Sequence, residues 1–120
     1  MVKIIDTDFT TLAEQSAQEQ EYRRAMKEKK IPAHMHDGVI RFVMEGRAPD
    51  RRGFLYAVLS NNLAKSFDKA DSANLDALQG WTRLLHNDLP HNCYGSPEKV
   101  DEWAKYGGLN GINRRMREVA

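Results

Sequence analysis

The chain has a single cysteine, Cys93, so it cannot form an internal disulfide, and a lone thiol fits a reducing compartment. It has no long apolar run. The cluster Phe54 to Leu59 is far short of the roughly 20 residues that span a bilayer. The opening Met1 to Asp6 lacks the apolar stretch of a signal peptide, and a cytoplasmic location is expected. Charge of one sign is missing as well: the net charge is +1, so no overall field draws the chain to nucleic acid or an anionic membrane. There is no Cys-x-x-Cys pair, no His-Glu-x-x-His, no phosphate-binding glycine motif, no repeat and no low-complexity stretch.

What is present is ordinary for a globular protein. Hydrophobic residues make up 41% and charged residues 29% of 120 residues, enough for one domain and too apolar for a disordered chain. The expected fold is all-α: a compact bundle of five to six short helices within one domain, residues 1–120. Residues 1–30 form a peripheral helix or arm, 31–106 the core, and 107–120 a basic amphipathic tail. The first nine residues are open between a short strand and an extended arm, because Val2, Ile4 and Ile5 settle no period.

Thr11 and Glu14 have capping-box spacing and predict a helix from there to about Lys30. Its apolar residues are too sparse for a wide buried face, which marks Tyr22 and Met26 as candidates for contact with a partner. Pro32 and Gly46 bracket a strongly apolar helix containing Val39, Ile40, Phe42 and Val43. Phe54 to about Asp68 reads as one helix, with Leu55, Val58, Leu59, Leu63 and Phe67 along its inner face. Asp71 or Ser72 caps a helix to about Asn87, with Leu75, Leu78, Trp81, Leu84 and Leu85 facing inward; Gly80 is its weak point. Ser96-Pro97-Glu98 starts a helix that ends at Gly107-Gly108, and Leu109, Ile112, Met116 and Val119 space a final one.

Few residues carry candidate chemistry. His34 and His36, or His86, His91 and Cys93, are ligand types for zinc, but two histidines two apart on a helix point about 200° from each other. No metal or other cofactor is expected. Cys93 near His91 could make an activated thiolate, without an evident oxyanion hole. Arg47, Arg51, Arg52 and Gly53 precede a helix start, where arginine forks and unpaired N–H groups can hold a phosphate or carboxylate. Asn61 and Asn62 interrupt an apolar helix and could bond a loop, a ligand or a partner. Arg114, Arg115 and Arg117 could meet phosphates, with Tyr106 nearby for stacking, but no helix carries a row of base-reading side chains.

One ordered set of residues runs through the core: Ile31-Pro32-Ala33-His34, then Gly46, Pro49 and Gly53-Phe54-Leu55, then Ala57 to Leu63. Ala70-Asp71, Asn74 and Cys93-Tyr94-Gly95-Ser96-Pro97-Glu98 with Trp103 follow. Over residues 31–104 this resembles a family of short helical proteins encoded by bacteriophages and prophages, with Asp50-Arg51-Arg52 as a longer, more charged turn. The resemblance brings no catalytic residue with it. It implies an accessory protein acting in the bacterial cytoplasm by binding, often to block a host enzyme or defence factor.

The resulting expectation is a non-enzymatic binder. Its partner would be a host protein, met through Tyr22, Met26, Asn61, Asn62, Arg114 and Arg115, or a small phosphorylated ligand held by the Arg47–Gly53 loop. A homodimer is compatible with the exposed first helix. The alternatives are a small enzyme using Cys93 and His91 or a metal, and a DNA-binding regulator.

Overall fold

The computed structural model describes the backbone of residues 2–119 and the side chains of residues 13–116. The all-α expectation holds: among the described residues there are eight α-helices, one 3₁₀ turn and no strand. They are α1 (Val2–Glu28), α2 (Ala33–Glu45), α3 (Phe54–Leu59), α4 (Leu63–Lys69), α5 (Ser72–Asp76), α6 (Leu78–Asn87), α7 (Pro97–Lys105) and α8 (Gly108–Val119). The 3₁₀ turn covers His91–Cys93.

Two of the predicted helices are each broken into a pair, which is why there are eight rather than five or six. The first break follows from asparagine chemistry. Asn61 adopts a left-handed φ of 63°, a conformation its short polar side chain tolerates better than most. Asn62 then caps α4, accepting a hydrogen bond from the backbone N–H of Lys65 at 3.0 Å. The second break falls at Ala77, which ends α5 and begins α6. Asp71, one of the two predicted caps, accepts from the N–H of Asn74 at 2.8 Å.

The start of the chain also differs from expectation. Val2 to Phe9 belong to α1, so the segment is neither strand nor extended arm, and Thr11 lies inside the helix rather than at its cap. From Ala13 to Glu21 no residue of α1 is buried; Tyr22, Ala25 and Met26 then enter the core. Among the described side chains, the helix thus meets the core near its C-terminal end.

The core is built around α2, against which α1, α7 and α8 pack. Its residues Val39, Ile40, Phe42, Val43 and Met44 are buried. Gly46 closes it in the left-handed region at φ 73°, and the following N–H groups return to Phe42 and Arg41 carbonyls at 2.9 and 3.1 Å. The same glycine touches the backbone of Gly107 and Gly108, where a Cβ would collide, so α8 crosses directly over the end of α2. Trp103 is buried beside this crossing, and its indole N–H donates to the carbonyls of Phe42 and Val43, 3.2 Å from each. The other tryptophan, Trp81, is also fully buried. It donates to the side-chain oxygen of buried Asn74 at 3.0 Å and packs edge-on against Phe54. Both indoles therefore bury a large apolar surface without orphaning a donor.

Gly80, the weak point of the predicted helix, has a packing reason: a Cβ there would run into the carbonyl of Lys29 at the turn after α1. Lys29 is further tied to Asp88 by a 2.6 Å ion pair. In an open helix Gly→Ala stabilises by about 1 kcal/mol. Gly80→Ala is expected to do the reverse, losing about 1–3 kcal/mol in urea unfolding with an unchanged m-value. A gain in stability would refute the close approach.

Candidate functional site

The break at Asn61–Asn62 decides which surface is free. Leu63 and Phe67, at core spacing in the sequence, are 72% and 53% exposed, because α4 leaves α3 in a new direction and no other element among the described residues covers that side. Leu75 on α5, expected inside, is exposed too. Between α4 and α6 lies a groove of about 490 Å³ with Val58, Leu63, Phe67, Leu78, Leu85 and Tyr94 as its apolar lining. Asn61, Asn62, Gln79, Thr82 and His86 supply its polar rim. The Tyr94 ring is held edge-on between His86 and His91, at centroid distances of 6.0 and 6.3 Å. An apolar floor with a polar rim suits a protein segment better than a charged metabolite.

Of the residues predicted to meet a partner, the structure places only Asn61 and Asn62 at this groove. Tyr22 and Met26 are 6% and 0% exposed, packed in the core of their own chain and unavailable to anything else. Burial pushes the Tyr22 hydroxyl up to about 12. Arg114 and Arg115 are exposed on α8, and the Arg115 guanidinium lies over the Tyr106 ring at 4.8 Å.

The arginine loop is drawn inward by acids of the same chain. Arg51 reaches Asp101 on α7 at 2.8 Å, donates to the Tyr56 hydroxyl at 3.2 Å and lies over the Tyr56 ring. The hydroxyl in turn donates to Asp101 at 3.3 Å. Arg52 turns back on Asp50, whose carboxyl is held below its ordinary pKa chiefly by the backbone N–H of Arg52. Arg47 is 3.5 Å from Glu45. Gly53 precedes α3, but that helix has only six residues, and the Gly53 N–H is already given to the Asp50 carbonyl at 3.0 Å. Each arginine thus has an acid of its own chain within reach, which competes with any anion arriving here.

Cysteine and histidine are likewise engaged or dispersed. Cys93 is fully buried, and burial pushes its thiol up to about 12, so near neutral pH it stays protonated and poorly nucleophilic. His34 pairs with Asp71 at 3.0 Å, whereas His36 lies 2.8 Å from the Ile31 carbonyl, so its Nε2 carries the proton it donates. The two histidines thus diverge as their spacing predicts. Among the described residues no three His, Cys, Asp or Glu side chains come together to hold a metal ion. Nor is any helix among them long and apolar enough to cross a membrane.

Fold and groove together define an all-α domain with an open apolar surface. Comparison with known proteins found no matching family model, no matching curated protein and no matching solved structure.

The buried thiol and phenol have a consequence at high pH. Both folded pKa values are raised above the ordinary 9.0 and 10.0, so both groups favour the folded state while protonated. Their contribution is complete below about pH 9 and is lost as the pH climbs toward about 12. Cys93→Val is expected to move the onset of alkaline destabilisation from about pH 9 to about pH 10, where Tyr22 alone remains. Chemical denaturation across that range measures it; an unshifted onset would show the thiol to be solvated.

Proposed function

We propose that this protein is a non-enzymatic binding module whose partner is another protein, taken up on the α4–α6 groove. The observation that carries this reading is the exposure of Leu63 and Phe67 over that groove. A core-forming pair turned out to solvent costs the free protein apolar burial, about 25 cal/mol for each Å² left in water, which a bound partner restores. Protein binding is favoured over thiol chemistry because Cys93 is sealed, and over capture of a phosphorylated ligand because Arg47, Arg51 and Arg52 are already matched with acids. The finer reading is a bacteriophage or prophage accessory protein that inhibits a bacterial defence factor. It rests on the resemblance over residues 31–104 and names the place to look for the partner: the cytoplasm of the host.

The test compares the wild-type protein with Leu63→Ser/Phe67→Ser as baits in host lysate. Both side chains are exposed, so the double variant keeps its helical circular dichroism and melting temperature. The wild-type chain is expected to retain a host protein, with at least about tenfold less recovered by the variant, since anchor residues of this kind carry most of an interface's affinity. Equal recovery by the two baits, or no protein on either, contradicts the proposal.

A further inference from the structure

A second open surface lies between α7 and α8. It is a groove of about 520 Å³, with Trp103, Tyr106, Ile112 and Met116 as apolar lining and Met116 66% exposed. Lys99 and Arg115 stand on its rim with Glu102 as the one acid, and Lys105 and Arg114 border the adjoining cleft. Glu45 also borders that cleft but is turned to Arg47. The groove is therefore apolar and cationic, and among the described residues none of α1 lines it.

The chain carries a helix of complementary character. Residues 2–21 of α1 hold five acids (Asp6, Asp8, Glu14, Glu19 and Glu21) against Lys3 alone. Val2, Ile5, Phe9 and Leu12 follow one another at the three- and four-residue steps of a helical seam. From Ala13 to Glu21 no side chain of this helix is fully buried in its own domain. Helical segments with few tertiary contacts are marginal in water, so a surface that takes the apolar positions of such a segment stabilises it. At 1.5 Å per residue, residues 2–21 span about 30 Å, enough to cover the full length of α8 at about 18 Å. We infer that two copies associate reciprocally, the acidic α1 arm of each lying in the basic α7–α8 groove of the other. Such an exchange closes with two-fold symmetry and leaves the α4–α6 groove open, so it stands independently of the partner proposed above.

The purified full-length chain tests this without any host component. Sedimentation equilibrium should show a dimer that weakens as salt is raised. Met116→Asp and Arg115→Glu each place a negative charge against the acidic arm. Each should raise the dimer dissociation constant at least about tenfold, while Leu63→Ser leaves it unchanged. Both positions are exposed, and an unaltered melting temperature at low protein concentration checks that the variants fold. A zero-length carbodiimide cross-linker applied to a mixture of ¹⁴N- and ¹⁵N-labelled chains should join Lys99 or Lys105 of one copy to Asp6, Asp8 or Glu14 of the other. A monomer up to the solubility limit would overturn the inference. So would mixed-label cross-links running only from arm to arm, or a dimer indifferent to both groove variants.

Discussion

The packing of α1, α7 and α8 is arranged around α2, whose apolar residues they enclose. So many neighbours can reach one thin cylinder only where side chains are removed or made to share space. The backbone contact of Gly46 with Gly107 and Gly108 is the removal. The Trp103 indole, donating to the last-turn carbonyls of α2, is the sharing: it fills the crossing and satisfies polar groups that a helix end otherwise leaves to solvent. Enclosing α2 uses only the last turns of α1. Residues 13–21 of that helix and the outer side of α4 contribute no buried apolar side chain to the core.

Charge follows the same economy. The arginines of the 47–53 loop, which look like an anion cradle in the sequence, are spent on Asp50, Glu45 and Asp101. The Arg51–Tyr56–Asp101 contact pins the loop to α7, across fifty residues of sequence. Pairs this exposed are screened by solvent and contribute little stability, but they set where the loop lies. By contrast, Arg114 and Arg115 of α8 are exposed, Arg115 resting on the Tyr106 ring.

Most of the helices are legible in the sequence because their signals are local. Gly46 as a left-handed cap, Ser96-Pro97 as a helix start and the Trp81–Leu84–Leu85 face all depend on neighbours a few residues away. The division of 54–68 is not legible by periodicity, which counts spacing and is blind to a change of axis. Leu59 and Leu63 keep helical spacing across a break that sends one inside and the other out. The dipeptide Asn61-Asn62 is the one signal that could have marked it, since asparagine suits both the left-handed position and the helix cap. Tyr22 and Met26 mislead for a different reason. Averaged over α1, the apolar residues are too few for a core helix; concentrated at its anchored end, they suffice. The groove between α4 and α6 joins residues from 58 to 95, and no local pattern announces it.

If α2 is the centre on which the rest depends, stability must be distributed accordingly. Native-state hydrogen exchange measures that distribution residue by residue. The backbone amides of Phe42, Val43 and Met44 should exchange only through global unfolding, with a free energy equal to that from denaturant titration. Those of α4 should open locally at a far lower free energy. Amides of α2 exchanging as readily as those of α4 would contradict the account.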